Sequence, residues 1–467
     1  MQHSHCASQG LMQGLGNRHI QLIGLGGSIG TGLFLGAAGV LQLAGPAMLV
    51  AFAGAGLLVF LIMRMLGEML VEEPVSHSYS YFAHRYWGRF AGFFAGWNTI
   101  ALYVLVGMLE LSAAGHFVQF WWPGFPTWAT AAIGLVLING LNLINVRMYG
   151  EAEFWFALIK VVAVIGMIGF GAYVLVAHYG QPGVGVSNLW AYGGFAPNGF
   201  AGVVMALGVV AFSYGGLETM GFAAAETRDV RRVMPRAINQ ILVRIAIFYL
   251  GSSFVLLTVM PWPELLRHMQ AGGGTYASSP FALVFSVLGD HLVANVLNLI
   301  VLTAALSVYN SMVYSVSRML YGMARQGNAP GFVARVNRHG VPVQSIGLGA
   351  LVTGACVLIN YLAPGRVVEV LISLVTATLV LIWAVIICTH FKFRAALRRN
   401  GVGPLFPAPF APWSNLLCLG FIGLVIAVLY VAPSTRPSAY AIPVWIAVVY
   451  LGFRMREHLR RRAVPAS

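Results

Sequence analysis

The sequence predicts an all-α polytopic membrane protein of about 12 transmembrane helices, and three observations predict it. Of the 467 residues, 59% are apolar and only 9% are charged, where a soluble domain carries roughly a quarter charged residues. Apolar stretches of roughly 20 residues, each long enough to cross a bilayer, recur near 20–43, 45–66, 91–118, 127–145, 154–177, 200–225, 240–261, 284–316, 343–362, 367–391, 411–431 and 438–453. The first and sixth of these stretches each carry a glycine-rich polar interruption near the middle. Five spans separate the two, an odd number, so the two copies run in opposite directions. Paired interruptions at corresponding positions point to inverted repeats. The expected organisation is a tail 1–19, a first repeat 20–195 (helices 1–5), a second repeat 196–392 (helices 6–10), two appended helices within 393–453, and a tail 454–467.

The tail before the first span is polar and has no apolar core of a signal peptide, so the first span is expected to insert uncleaved. His3, His5 and Cys6 sit in it; they read as a metal-catching cluster or, more plainly, as a frayed polar end. The four cysteines (Cys6, Cys356, Cys388, Cys418) are scattered, with no C-x-x-C spacing, so no disulfide or metal site is expected.

In the first span, six of the thirteen residues from Gly24 to Gly36 are glycine, with Ser28 and Thr31 among them. A broken helix exposes backbone groups that lipid cannot satisfy, so the break must face protein, water or a ligand. Glycine permits the turn and lets a ligand approach closely. A half-helix beginning near Gly32 offers free N–H groups and a positive dipole end, which suits a carboxylate. A half-helix ending near Ser28 offers carbonyls, which suit an ammonium. One site then receives both ends of a zwitterion without a charged side chain, which is a physical reason to expect an amino acid. The alternative is a small-residue packing seam. A dinucleotide loop fails on spacing: counted from Gly24 the third glycine position is Ile29, and counted from Gly30 it is Leu35.

In the third span Tyr103, Gly107 and Glu110 share a helix face at i, i+4 and i+7. Buried acids in a membrane are rare and informative, so Glu110 is a candidate for proton handling; the alternative is a hydrogen bond to a neighbouring helix. Lys160 lies six residues into the fifth span, about 9 Å along it. It either snorkels to the surface or is a buried ammonium that gives up its proton during a working cycle. In the sixth span the break reads "FSYGGLE" (212–218). Phe212 to Gly215 can add carbonyls to the site, and Glu218 either caps exposed N–H groups or takes protons.

The segment "ETRDVRRVMPRAINQ" (226–240) and the segment "RMLYGMARQGNAP" (318–330) are basic and partly amphipathic, so they are expected at the membrane surface. The connection 262–283 is expected to hold a short amphipathic helix followed by a turn. In the eighth span Thr303, Ser307, Asn310 and Tyr314 form a polar stripe along one face, either lining the interior or bonding helices together.

The formal net charge of +14 is distributed unevenly. With the N-terminus inside, the basic clusters around 64, 85–89, 147, 228–236, 318–338, 392–399 and 454–462 fall on one side, and only Arg267, Arg366 and Arg436 on the other. That bias places both termini in the cytoplasm. It also accounts for the charge without nucleic acid, for which no basic-aromatic module or finger spacing exists. An intramembrane enzyme would need a nucleophile–base pair or a metal cluster. No H-E-x-x-H and no Ser/His pairing at helical spacing occur.

The segments "GGSIGTGLF" (26–34), "MRMLGEMLVEEP" (63–74), "YGEAEFWFALIKVVAV" (149–164), "FSYGGLETMGFAAAE" (212–226) and "VLTAALSVYNSMVYSVSRMLYGMARQGNAP" (301–330) resemble the amino-acid transporter family of the amino acid–polyamine–organocation superfamily. Within it the chain is most similar to bacterial aromatic amino-acid permeases, over residues from about 17 to 455. The resemblance implies a leucine-transporter-like 5+5 inverted repeat with broken helices 1 and 6, a bacterial inner-membrane location, and proton-coupled uptake with no cofactor other than the coupling proton. It implies substrate contacts from Ser28, Ile29, Gly30, Thr31 and Gly32, from Tyr103, and from Phe212, Ser213, Tyr214 and Gly215. It implies proton coupling at Lys160 and Glu110, and Phe34 and Phe212 as aromatic gates. After the sixth helix the chain has Asp229-Val230 and then Met234-Pro235, where the family has an Asn/Asp-Pro and an Ile-Pro. Expected partners are a small amino acid and the lipid bilayer, not nucleic acid, with the protein a monomer. Open alternatives are proline, histidine or another neutral amino acid as cargo, an exchanger, and a nutrient sensor without flux.

Overall fold

The computed structural model describes residues 30–75, 78–144, 146–177, 183–223, 230–271, 279–287, 291–338, 340–363 and 367–463. Ser28 and Ile29, and the first part of the first span, lie outside the described residues. Among those described, regular structure is helical, with no strand. Eleven helical stretches are long and apolar enough to cross a bilayer, as the runs of apolar residues require. The protein is an all-α, multi-pass membrane protein.

The first such stretch, Thr31–Glu72, is 42 residues long. At 1.5 Å per residue it would reach about 63 Å, about twice the hydrocarbon core, and it is not one helix. It divides into α1 (Thr31–Phe34), α2 (Gly36–Ala44) and α3 (Met48–Glu72). The larger break falls at Gly45, whose φ of 56° suits glycine alone, and whose successor Pro46 lacks an amide proton. A short helix α4 (Ser78–Phe82), which buries Tyr79 and Phe82, leads to α5 (Arg89–Gln119), the most buried of the long helices. The helices α6 (Thr127–Ile144) and α7 (Val146–Ala177) lie at the periphery. Their outward faces expose Ile133, Val136, Leu137, Val162, Ile165 and Val176, apolar area that water would penalise and lipid does not.

The sixth span is interrupted, as α8 (Gly199–Ser213) and α9 (Met220–Ala223). The seventh departs from expectation. The segment assigned to the surface is helix α10 (Val230–Arg244), which runs through a π-helical turn (Ile245–Gly251) into α11 (Ser252–Val259). Val230, Met234, Ile238 and Ile241 are buried along one side of α10, and the helix packs on α3. An amphipathic stripe finds protein here, so the helix begins about ten residues before residue 240.

In the connection 262–283, α12 (Trp262–Ala271) buries Leu265 and Met269 and is followed by α13 (Pro280–Val287). The helix α14 (His291–Arg325) absorbs the front of the second basic segment. It stops where Gly327 takes φ 67° and the Asn328 and Gly327 amides close back on Met323 and Ala324, a left-handed helix end. The remaining elements are α15 (Val343–Thr353), α16 (Ala355–Leu362), α17 (Val367–Arg399), α18 (Trp413–Val431) and α19 (Arg436–Ala463). The core centres on α5, which packs against α14, α17 and α6, while α2 and α3 both pack on α8. That arrangement brings the two interrupted spans side by side.

Candidate functional site

The two interruptions meet backbone to backbone. Gly30 is extended (φ −141°, ψ −161°) and α1 starts immediately after it. A Cβ on Gly32 would stand 2.7 Å from Ser213 Cα and 3.1 Å from Ser213 O. Only glycine allows this approach. Ser213 Oγ donates to Gly32 O at 2.7 Å, so an unpaired carbonyl of the first break is satisfied by a hydroxyl of the second. The small-residue seam and the ligand-facing break are therefore the same feature: Gly32 packs α1 on α8 and also lines the cavity described below.

In the sixth span α8 ends at Ser213, and Gly216 adopts φ 97°, ψ −16°. The break is held by three side chains. Tyr249, in the π-helical turn, donates to Ser213 O at 2.5 Å. Thr219 Oγ1 donates to Gly216 O at 2.5 Å. The Glu218 carboxylate accepts from the Gly216 amide at 3.1 and 3.2 Å. Glu218 is fully buried and makes the capping contact expected as the plainer of its two readings.

Between the breaks lies a cavity lined by Gly30, Gly32, Leu102, Tyr103, Val106, Glu110, Phe212, Ser213, Gly215, Gly216, Glu218, Val308, Met312 and Val375. Its volume, measured to water centres, is about 40 Å³, room for about three waters at roughly 10–15 Å³ each. The head group of an amino acid matches that space, and a large side chain needs the surrounding residues to move. Thr31 stands at its edge. Thr31 Oγ1 donates to Glu110 Oε1 at 2.7 Å. Glu110 thus occupies the N-terminus of the half-helix, the position where a ligand carboxylate is expected. Its Oε2 has no hydrogen-bond partner among the described residues.

Two of the expected site residues are placed differently from their neighbours. The Tyr214 ring does not line the cavity. Its hydroxyl donates to Phe52 O at 2.7 Å, and its ring lies 4.6 Å from that of Tyr249. Phe34 also lies off the cavity lining, edge-on to Phe281 at 6.0 Å, whereas Phe212, the other expected gate, lines it. Gly107 leaves no gap toward the cavity: a Cβ there would meet the Tyr309 ring at 3.1 Å. Tyr103 and Glu110 reach the cavity, and Tyr103 also borders a second, smaller pocket with Asn139, Tyr309, Ser345 and Thr353.

Lys160 is fully buried and does not snorkel. Counted from Gly150, where the apolar span starts, it lies about 15 Å in, deeper than the sequence boundary suggests. Its Nζ donates to Ser307 Oγ at 2.9 Å. Ser307 Oγ donates to Glu153 Oε1 at 2.8 Å, and Glu153 Oε1 is 4.0 Å from Nζ. Asn310 Nδ2 reaches Glu153 Oε2 at 3.4 Å, and Asn142 Nδ2 donates to Asn310 Oδ1 at 2.8 Å. The polar stripe of α14 thus divides. Ser307 and Asn310 engage α7, Thr303 bonds its own helix at Ile300 O, and Tyr314 stacks under Arg318 at 3.9 Å.

Sequence reasoning missed Glu153 because it placed the span boundary one residue after it. It also missed Glu68, buried at the end of α3. Glu68 accepts from Arg394 Nη2 at 2.8 Å and from the Ala408 amide at 2.6 Å, with His390 Nε2 at 3.2 Å. Arg64, a turn earlier, donates to Pro407 O at 2.6 Å and lies 3.6 Å over the Phe406 ring. The connection 403–412 is strapped to α3 by these contacts. A charge on a span's apolar run was the available signal for both residues.

An all-α bundle whose two interrupted helices enclose a small buried cavity, lined by exposed backbone and two buried carboxylates, one of them held by a hydroxyl, has the build of a membrane carrier for a small polar solute. The chain belongs to the amino acid permease family, whose model matches residues 19–465. It is 53% identical over 447 residues to the aromatic amino acid transport protein AroP of Escherichia coli (strain K12), covering 96% of each chain. It is as similar to AroP of Shigella flexneri, again 53% over 96% of each chain. It is 39% identical over 464 residues, 98% of each chain, to the amino acid permease YtnA of Bacillus subtilis.

Proposed function

We propose that this protein is a secondary active transporter that imports aromatic amino acids together with protons, by alternating access, across the bacterial inner membrane. The observation that carries the reading is the junction of the two helix breaks at a cavity with a protein carboxylate already seated on the free end of α1. The name and extent of the relatives support the aromatic class of cargo. Twelve spans follow when Thr31–Glu72 is counted as two, and a 5+5 inverted repeat gives the interrupted helices their opposite directions. The basic loops orient both termini to the cytoplasm.

In this reading the substrate carboxylate takes the Thr31 and Gly32 end of α1, and its ammonium takes carbonyls around Gly215. Ser28 and Ile29 are assigned to the same site from the family pattern. Phe212 gates the ring side, with Tyr103 across the cavity. Glu110, Lys160 and Glu218 are the groups available for the coupled proton, and no cofactor is needed. The protein works as a monomer in the bilayer, without nucleic acid.

The test is uptake of labelled phenylalanine into proteoliposomes under an inward proton gradient, with other amino acids as competitors. Accumulation that depends on the gradient and is blocked by tyrosine and tryptophan is the expected result. Accumulation blocked instead by proline or histidine refutes the aromatic assignment, and no flux in folded protein refutes transport.

A further inference from the structure

Buried groups outside the substrate cavity form one ordered chain. Lys160 Nζ donates to Ser307 Oγ (2.9 Å), and Ser307 Oγ donates to Glu153 Oε1 (2.8 Å). The ammonium and carboxylate themselves are 4.0 Å apart, too far for a direct hydrogen bond, so the hydroxyl is the bridge. Lys160, Ser307 and Glu153 are each at most 1% exposed. We propose that Ser307 relays the coupled proton from Lys160 to Glu153, and that Glu153 is the group from which it leaves. The proposal rests on the proton-coupled reading above.

The step balances. An N–H bond of the Lys160 ammonium breaks as its proton passes to Ser307 Oγ, and the Ser307 O–H proton passes to Glu153 Oε1. The products are a neutral amine, an unchanged hydroxyl and a carboxylic acid. Two buried charges disappear without movement of a heavy atom. Loss of the two charges removes a desolvation cost that an ion pair out of direct contact recovers only in part. The direction also follows from the fold. Glu153 precedes Lys160 by seven residues on α7, about 10 Å nearer the end at which that span begins. By the distribution of basic loops this is the cytoplasmic end. Asn310, itself held by Asn142, keeps Glu153 Oε2 in place.

The test compares two fluxes in proteoliposomes: accumulation driven by a proton gradient, and counterflow exchange at equal pH, which needs no net proton movement. A positioned proton-transfer group contributes typically 10²–10⁴-fold, so Ser307→Ala is expected to lower gradient-driven accumulation by roughly a hundredfold while counterflow stays near wild type. Ser307→Thr, which keeps the hydroxyl, restores accumulation. Glu153→Gln behaves as Ser307→Ala. Undiminished accumulation in Ser307→Ala overturns the relay, and so does failure of the threonine variant with counterflow intact. Joint loss of both fluxes in the alanine and glutamine variants assigns these residues a structural role and also overturns it. A wild-type protein whose accumulation ignores the proton gradient would instead overturn the proton-coupled reading itself.

Discussion

Replacing Gly32 with alanine tests whether the spacing of the two broken helices sets the site. The added Cβ would sit 2.7 Å from Ser213 Cα and 3.3 Å from its carbonyl carbon. Carbon atoms pack best at about 3.5–4.0 Å, so α1 and α8 must part by about 1 Å. The obstacle is backbone, which cannot rotate aside. The same shift stretches the 2.7 Å bond from Ser213 Oγ to Gly32 O beyond hydrogen-bonding range. That bond contributes about 1 kcal/mol and overpacking costs about 1–3 kcal/mol, so the expected loss is about 2–4 kcal/mol. The assay pairs thermal unfolding of the purified protein in detergent with equilibrium binding of labelled phenylalanine. Gly32→Ala should melt lower and bind at least about tenfold more weakly, the equivalent of 1.4 kcal/mol. Gly54→Ala is the control, since nothing lies within 4 Å of its Cβ. Gly36→Ala should fall between, because its Cβ meets the Ser213 hydroxyl oxygen at 2.6 Å, and that group can rotate away. Wild-type affinity in a destabilised Gly32→Ala protein would refute the link between helix spacing and the site.

Other substitutions test separate parts of the molecule. Lys160→Met should abolish accumulation driven by a proton gradient and leave measurable substrate binding; unchanged uptake would exclude Lys160 from coupling. Thr31→Val removes the hydroxyl that holds Glu110 and should lower uptake, with Thr31→Ser close to wild type, as read by initial rates. Glu218→Ala uncovers the Gly216 amide and should cost about 0.5–2 kcal/mol as a lost cap, while Glu218→Gln keeps an acceptor and most of the stability in a thermal melt. Glu68→Ala leaves Arg394 and His390 without their buried carboxylate. It should cost about 3–5 kcal/mol in the same melt, far more than Glu264→Ala on the external helix α12.

What the sequence discloses and what it withholds divide along physical lines. Composition and the recurrence of apolar runs depend only on residue type, and they locate the spans, while several helix ends lie six to ten residues from the apolar limits, as at Glu72, Val230, Arg325 and Arg399. The breaks were visible because glycine has few reasons to crowd an apolar helix: Gly30, Gly32, Gly215 and Gly216 all border the cavity. Helical periodicity tells which residues share a face, as it did for Tyr103 and Glu110, but not what that face meets. Gly107 shares their side of α5 and meets Tyr309. Lys160 and Ser307 are 147 residues apart, and Glu68 and Arg394 are 326 apart. Such pairs exist only once helices have docked. Glu153 shows a further limit. An acid is a natural marker for the end of an apolar run, so a rule that stops the span at the first charge discards a charge buried inside it. The segment 230–240 shows the same limit, since a polar face looks alike whether the apolar face beneath it rests on lipid or on α3.

The seating of Glu110 on Thr31 joins the substrate site to the buried charges. The end of α1 offers few donors, and Glu110 Oε1 already accepts from the Thr31 hydroxyl. A substrate carboxylate arriving at the same donors meets a like charge, and two carboxylates sharing one site do not both stay ionised. Either Glu110 takes a proton or it withdraws. Both outcomes alter what Lys160 faces, because Glu110 and Glu153 are the two acids acting on that ammonium. In the proposed reading, substrate binding and the charge state of the interior are linked by the scarcity of donors at one helix end. The two sets of groups lie on packed helices, with the cavity and Glu110 on α5 and Lys160, Ser307 and Glu153 on α7 and α14. The glycines that open the helices create the shortage of donors, and the buried acid that fills it makes occupancy by a second anion an event the rest of the bundle can register.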